Sequence, residues 1–385
     1  MIELWKEAKD CTGCGACYQI CPRNAIAMQN DVYGFVFPAI DSKKCIECGA
    51  CVRVCPMKRE LDTAEKKPIA YALRHRDAAI LSESSSGGAF TAIAQTFIGN
   101  NGCIFGATMN EQLQVLHKGI MGVENLDLLR KSKYVQSDTG KTFIEVREIL
   151  NKGQKVLYVG TPCQIAGLIV FLGKDYPQLL TCDLVCEGVQ SQHFFNEYIA
   201  YMEKIQRSTV QSVEFRSKKK HGWERYSFVL NYANGKKYDR ICQTKDNAYM
   251  NSCLFQGGNR DSCYHCHFDK LPRQGDFTIG DLWGWREMMP EWKDNKGISL
   301  VLANTKKAEN MMIQLGEVAS VRQVDFELAA KKNPNLIRST AEPKMRSAYV
   351  KDMQQLEFSE LASKWLKPRS AARRALSHIK YWINK

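Results

Sequence analysis

The sequence predicts an α/β (α+β) protein made of three successive parts. Residues 1–60 carry two copies of one cysteine spacing and predict a small cysteine-rich domain. Residues 69–305 alternate apolar, strand-like segments such as KVLYVG with helical segments, which predicts a mixed α/β core. Residues 306–385 form a helical extension that ends in a basic tail. A chain of 385 residues is long enough for two or three domains.

The composition is that of a globular protein, because 44% of the residues are hydrophobic and 25% are charged. This excludes wholesale disorder. No apolar run approaches the roughly 18 residues of a membrane span, and the N-terminal segment MIELWKEAKD lacks the apolar stretch of a secretory signal. We therefore expect a cytoplasmic protein, in which the 16 cysteines bind metal or carry out redox chemistry and do not form disulfides.

The N-terminal cysteines follow the spacing C-x2-C-x2-C-x3-C twice, each time with a proline directly after the fourth cysteine. This is the bacterial ferredoxin spacing for [4Fe–4S] clusters, in which the fourth cysteine binds the other cluster. Zinc sites, the alternative, usually take their ligands as two pairs. The spacing therefore predicts a two-cluster ferredoxin domain. Its first ligand set is Cys11, Cys14, Cys17 and Cys55, and its second is Cys45, Cys48, Cys51 and Cys21.

A third cysteine site is predicted in the core. Thr161 and Pro162 suit the N-cap and first position of a helix, so Cys163 would lie in its first turn, where the helix dipole lowers a thiol pKa. Cys263 and Cys266 form a C-x2-C pair, and such pairs bind zinc or part of an iron–sulfur cluster. Cys186, at the end of a buried strand, would complete the site, with Cys253, His265 and His267 as spare candidates and Cys182 as a rival for the ligand role.

Two polar segments of the core are candidates for binding a cofactor. Ser85, Ser86, Gly87 and Gly88 directly precede a helix, where backbone N–H groups favour an anion such as a phosphate, although a plain helix cap has the same pattern. Lys133, Tyr134, Gln136 and Ser137 offer a cation, an aromatic face and hydrogen-bonding groups. Neither a Rossmann fingerprint nor a P-loop occurs. Iron–sulfur clusters carry one electron at a time, so a two-electron reaction needs a cofactor that couples the two processes. Flavin is the usual cofactor of this kind.

Seven motifs occur in a fixed order: the ferredoxin run, SSSGGAF, SKYVQS, GTPCQIAG, DLVCEGV, SCYHCHF and TIGDLWG. Over about residues 5–305 the chain therefore resembles the coenzyme F-420 hydrogenase/dehydrogenase beta-subunit family, to which 7-hydroxymethyl chlorophyll a reductase is similar. The resemblance implies an α/β core that binds FAD and receives electrons from [4Fe–4S] clusters. The WGW and HGW sequences at Trp285 and Trp223 indicate a branch other than the hydrogenase subunits.

The resemblance also implies a role for each segment of the core. Ser85 to Gly88 would meet the FAD pyrophosphate or ribityl chain, and the segment from Lys133 to Ser137 would contact the flavin. The isoalloxazine side would be lined by Gly160, Thr161 and Pro162. The core cluster is expected at Cys163, Cys186, Cys263 and Cys266.

The implied function is an iron–sulfur flavoprotein oxidoreductase. A ferredoxin-type donor would supply electrons through the clusters and FAD to an unidentified substrate, or the reaction would run in reverse. The alternatives are an electron-transfer subunit of a larger redox complex and a deazaflavin (coenzyme F-420) oxidoreductase. The candidate proton donors are His193, His221 and Asp281.

The last 22 residues contain seven Lys and Arg and no acidic residue. Leu376, Ile379 and Ile383 share one helical face there, which suits peripheral contact with the inner membrane face and a lipid-linked substrate. The alternative is a helix packed on the core or on a partner. Nucleic-acid binding is not favoured as the main role, since it would not require the cysteines that are predicted to bind electron-transfer clusters.

Overall fold

The computed structural model describes residues 2–59, 67–99, 101–242, 245–370 and 372–373. The apolar face predicted for the tail lies outside the described residues, so its role at a membrane stays a prediction. Within the described ranges, no helix combines the length and the apolarity that crossing a membrane requires.

The N-terminal domain consists of two short helices and one antiparallel strand pair. Its elements are α1 (Ala16–Ile20), β1 (Ile26–Asn30), β2 (Val36–Ile40) and α2 (Ala50–Arg53). Gly15 and Gly49 lead into the two helices with φ of 80° and 71°, a left-handed conformation that favours glycine. Each helix therefore begins inside a cysteine run, at the turn that the repeated spacing requires.

The rest of the described chain contains eleven strands in two sheets. The strands are β3 (Ile69–His75), β4 (Cys103–Met109), β5 (Val115–Met121), β6 (Val156–Val159), β7 (Leu179–Leu184), β8 (Val210–Ser217), β9 (Ser227–Tyr232), β10 (Lys237–Ile241), β11 (Phe277–Asp281), β12 (Ser299–Ala303) and β13 (Ala319–Val324). The main sheet has the order β13-β3-β12-β11-β7-β6-β4-β5, and β8, β9 and β10 form a separate antiparallel sheet.

Twelve helices accompany these strands in the described residues. They are α3 (Ala78–Ser82), α4 (Ala89–Ile98), α5 (Thr142–Asn151), α6 (Pro162–Leu172), α7 (Gln192–Gln206), α8 (Ala248–Asn251), α9 (Asp261–Tyr264), α10 (Trp285–Met288), α11 (Lys306–Val318), α12 (Phe326–Lys332), α13 (Arg346–Gln355) and α14 (Phe358–Trp365). The predicted mixed α/β class is confirmed.

Four strands of the main sheet, β4, β6, β7 and β11, run parallel to one another. Their residues are largely buried, as in a sheet covered by helices on both faces. The carboxyl ends of parallel strands lie at one edge of the sheet, where α/β proteins usually bind their ligands. Here that edge leads into Gly160–Cys163 after β6, and into Cys186 after β7.

The main sheet continues past residue 305, where the sequence-based boundary of the core was set. Strand β13 pairs with β3 along its whole length, so that Val321 lies opposite Leu73. Strand β13 forms the edge of the sheet and has only one buried residue, Ala319. Because most residues of β13 are polar or partly exposed, the sequence pattern does not indicate a core strand. The predicted boundary at residue 305 therefore separates β13 from the sheet to which it belongs.

Gly87 leaves room for a close backbone crossing between β3 and β12. A Cβ atom at this position would lie 2.2 Å from the carbonyl oxygen of Leu73 and 2.4 Å from the amide nitrogen of Ser299. We expect Gly87→Ala to lower the free energy of unfolding by about 2 kcal/mol or more, because backbone atoms would have to shift.

Chemical denaturation of both variants measures this effect. The matched control is Gly316→Ala in α11, where the new methyl group meets nothing within 4 Å and alanine favours the helix. Equal stability of the two variants would contradict the packing role of Gly87.

Candidate functional site

The eight N-terminal cysteines line two separate cavities. One is lined by Cys11, Cys14, Cys17 and Cys55. The other is lined by Cys21, Cys45, Cys48 and Cys51. The fourth cysteine of each run thus lies with the first three cysteines of the other run, as the ferredoxin spacing requires.

The chemistry of these thiols fits iron–sulfur clusters. Burial, together with the neighbouring thiols of Cys11, Cys163 and Cys55, raises the pKa of Cys14 to about 12. Crowded, desolvated thiolates need positive charge to be stable, and iron supplies it. Backbone N–H groups also donate to the sulfurs, from Gly13 to Cys11 Sγ at 3.4 Å and from Ala25 to Cys21 Sγ at 3.3 Å.

The structure brings the four predicted core cysteines together. Burial, and then the charges of Asp269, Cys263 and Cys163, raise the pKa of Cys186 well above its usual value. Burial likewise raises the pKa of Cys263 to about 12, with Cys163 as the next cause. The backbone N–H of Phe268 donates to Cys266 Sγ at 3.4 Å. Four thiols therefore share one buried region between α6, the end of β7 and α9.

The two cysteine alternatives to Cys186 lie elsewhere. Cys253 is buried beside Gln190 and Tyr249. Cys182 lies within β7, and the charges that act on it come from Asp183 and Asp276. Neither thiol is placed among the other core cysteines, so the geometry favours Cys186.

One expectation for Cys163 needs correction. The helix dipole at the start of α6 was expected to lower its thiol pKa, but burial raises that pKa instead. Thr161 Oγ1 lies 3.2 Å from the sulfur and opposes this rise only in part. Desolvation therefore outweighs the helix end.

The first ferredoxin group lies directly against the core group. Gly167 is one helical turn after Cys163 on α6, and a Cβ atom there would lie 3.0 Å from Cys14 Sγ. On the opposite side, Thr139 Oγ1 donates to the carbonyl oxygen of Cys14 at 3.0 Å. The absence of a side chain at Gly167 thus allows the ferredoxin loop to approach α6, whose first turn contains Cys163.

A buried arginine of the core binds the loop that carries the first ferredoxin cysteine group. Arg260 is only 1% exposed and precedes Cys263 by three residues. Its Nε donates to the Cys11 carbonyl oxygen and its Nη2 to that of Val36, both at 2.9 Å. Its guanidinium also lies 4.1 Å from the ring centroid of Phe37. No local sequence pattern marks this residue, because its partners are far away in the chain.

Three of the side chains predicted to contact flavin make hydrogen bonds within the protein. Gln136 Nε2 donates to the Thr12 carbonyl oxygen at 2.8 Å, which places this residue in the contact with the ferredoxin domain. Ser137 Oγ donates to His117 Nδ1 at 2.9 Å, and burial lowers the pKa of this histidine to about 4. Lys133 Nζ donates to three backbone carbonyl oxygens, and burial lowers its pKa to about 7.

The serine- and glycine-rich segment lies at the carboxyl end of β3, since the Gly87 carbonyl oxygen accepts from the His75 amide. Ser85 Oγ accepts from the Ser132 amide at 2.9 Å, and Ser86 Oγ donates to the Ile298 carbonyl oxygen at 2.9 Å. Gly88 precedes α4 with φ of 87°. The segment is therefore fixed in place at the same edge of the sheet as the end of β11.

The segment Gly160–Pro162 lies at this edge as well. Thr161 is the N-cap of α6 in a capping box with Gln164, and Pro162 is the first helical residue, both as predicted. A Cβ atom on Gly160 would contact Gln164 at 3.1 Å and His117 at 3.4 Å, so this glycine is packed tightly.

A buried polar cluster occupies the end of β11, and Asp281 is its one member that the sequence marks as a candidate site residue. Arg216 Nη1 donates to Asp281 Oδ2 at 2.5 Å, and Trp223 Nε1 donates to Asp281 Oδ1 at 2.6 Å. Trp223 stacks on Trp283 with ring centroids 5.2 Å apart. Both carboxylate oxygens of Asp281 thus accept hydrogen bonds, and its partner in the ion pair is Arg216.

Known protein families match both the ferredoxin domain and the core. Residues 153–325 match the family model for the C terminus of the beta subunit of coenzyme F420 hydrogenase/dehydrogenase. Residues 10–58 and 37–87 match models of the 4Fe-4S dicluster domain. A chain of the F420-reducing [NiFe] hydrogenase complex from Methanosarcina barkeri is 16% identical, with a TM-score of 0.47 over 72% of this chain and 93% of that one. Comparison with curated proteins finds no significant match.

The ferredoxin-type cysteine groups and the matched domains define an iron–sulfur electron-transfer protein. The predicted family resemblance is confirmed over residues 153–325, which match the model for the C terminus of the coenzyme F420 hydrogenase/dehydrogenase beta subunit and follow the match to the 4Fe–4S dicluster domain.

Arg260 supplies a test of how the clusters are coupled to the core. We expect Arg260→Met to lower the reduction potential of the cluster held by Cys11, because a buried positive charge favours the added electron. A lost interaction of about 1.4 kcal/mol corresponds to about 59 mV for one electron.

A redox titration followed by electron paramagnetic resonance measures this shift. The matched control is Arg322→Met at an exposed position of β13, the edge strand of the main sheet, which should leave the potentials nearly unchanged. Equal potentials in the Arg260 variant and the wild type would show that Arg260 has no electrostatic role.

Proposed function

We propose that the chain is an FAD- and [4Fe–4S]-dependent oxidoreductase with three clusters. The observation that carries this proposal is the unbroken succession of cysteine groups. The Cys21 group adjoins the Cys11 group, and Cys14 of the latter contacts α6, whose first turn contains Cys163. When bound, the clusters would pass single electrons, and the flavin would couple them to two-electron chemistry on a substrate.

The outer end of this succession suits a small acidic electron carrier of the ferredoxin type. Cys48 is exposed, and Ile46 beside it has 59% of its surface exposed. Lys43 and Lys44 lie next to this apolar spot and would attract an acidic partner.

The inner end suits a flavin at the carboxyl edge of the sheet. The N-cap residue of α4 is Gly88, which has no side chain to accept a hydrogen bond, and the Ala89 amide reaches the Ser299 hydroxyl only at 3.5 Å. This helix end therefore suits an FAD phosphate beside Ser85, Ser86, Gly87 and Gly88. Tyr134 and the segment Gly160–Pro162 are proposed for the ring. Lys133, Gln136 and Ser137 stay candidates through the backbone of their segment, because their side chains, like those of Ser85 and Ser86, already have protein partners.

The second candidate is an electron-transfer subunit that passes electrons to another protein. It is favoured by the matched family model, which describes a beta subunit of hydrogenases and dehydrogenases. The name of that family also keeps deazaflavin among the candidate substrates.

Joint measurement of iron, sulfide and released flavin after anaerobic purification tests the proposal. We expect about twelve irons, four for each of three clusters, and one FAD per chain. About eight irons per chain together with FAD would contradict the core cluster but would still support a flavoenzyme. About eight irons without flavin, even after reconstitution, would contradict the proposal and leave an electron-carrier subunit.

The core cluster is tested separately by one ligand substitution. Cys163→Ala should lose about four irons per chain, because a cluster with three thiolates is weakly held. The matched control is Cys253→Ala, which removes another buried thiol and should keep all the iron. Equal iron contents in the two variants would reject Cys163 as a ligand.

A further inference from the structure

The buried cluster at the end of β11 contains an arginine with unused hydrogen-bonding capacity. Only 7% of the Arg216 side chain is exposed. Its Nη1 is held by Asp281, but its Nε and Nη2 are buried without any hydrogen-bond partner in the part of the chain that the structure describes. Leaving such donors unsatisfied is costly, so in natural proteins a water molecule, an ion or a ligand usually binds them.

The two unpartnered donors lie on the same edge of the guanidinium group. Nε–H and Nη2–H point side by side, which is the fork that binds two adjacent oxygens of a carboxylate. The third nitrogen of the guanidinium group, Nη1, donates to Asp281. The flat face of the group lies 4.1 Å from the ring centroid of Tyr226. The guanidinium is therefore held rigidly, with one binding edge left open.

The surroundings suit a planar organic ligand. Tyr226 covers Arg216, and Tyr134 packs near Phe215 with ring centroids 6.0 Å apart. The nearby acidic groups are Asp281, which is already paired, and Glu187. Glu187 directly follows Cys186, so the open edge lies close to the proposed core cluster.

We propose that Arg216 is the receptor for a carboxylate of the substrate, so that this oxidoreductase acts on an organic acid. The substrate role rests on the proposed function, whereas binding of a carboxylate to Arg216 does not. A flavin ring also presents two adjacent acceptors along one edge, and the same fork would suit it. The experiment therefore has two parts, one that tests for a substrate carboxylate and one that tests for the flavin ring.

The first part is calorimetric titration of the purified protein with benzoate, with benzamide as the uncharged probe. The test variant is Arg216→Lys, which keeps a cation for Asp281 but removes the two-donor edge. The control is Arg286→Lys, in which the arginine already donates to both carboxylate oxygens of Glu224. We expect Arg216→Lys to weaken benzoate binding about 10- to 100-fold and the control to leave it unchanged.

The second part measures the flavin content of the same three proteins. Lost benzoate binding with flavin retained would support a substrate carboxylate. Lost flavin, with no benzoate binding in the wild type, would assign the fork to the flavin edge and overturn the substrate role. If benzoate binds equally to all three proteins, or if none binds benzoate and flavin is unchanged, the proposal is wrong.

Two further measurements keep these outcomes interpretable. Far-ultraviolet circular dichroism checks that Arg216→Lys folds. If it does not, the double variant Arg216→Gln with Asp281→Asn removes both charges together and takes its place. A protein without flavin that still binds benzoate through Arg216 would contradict the flavoenzyme but not the carboxylate site.

Discussion

The packing of the Cys14 loop on α6 is the contact on which the rest of the arrangement depends. Electrons pass only between groups that lie close together, and this contact joins the ferredoxin domain to the core. It exists because Gly167 has no side chain where Cys14 approaches, and because Arg260 binds the Cys11 and Val36 carbonyl oxygens from the core side. Gln136 adds a further hydrogen bond to Thr12 across the same contact.

The parallel strands explain why the inner end of this path meets polar side chains. The carboxyl ends of β6, β7 and β11 lie at one edge of the sheet, which groups residues that are far apart in sequence. Cys163, Cys186 and Asp281 each follow or end one of these strands. A buried cluster of thiols and a buried arginine–carboxylate pair thus lie next to each other.

The sequence was informative where the chemistry is local. A cysteine run and a capped helix start are set by neighbouring residues, so the grouping of the ferredoxin cysteines and the start of α6 followed from spacing. Long-range contacts left no such pattern. Arg260 bonds to a residue 249 positions away, and the partners of Gln136 and Arg216 are similarly remote. The polar edge strand β13 was missed for a related reason, since only one of its residues is buried.

The central claim is that the first ferredoxin cluster lies next to a core cluster. Electron paramagnetic resonance of the fully reduced protein tests it directly, because neighbouring paramagnetic clusters split and broaden each other's signals. The account predicts a coupled spectrum in the wild type that simplifies in Cys163→Ala, while the coupling within the ferredoxin domain remains. An identical spectrum in the two proteins would contradict a core cluster at Cys163.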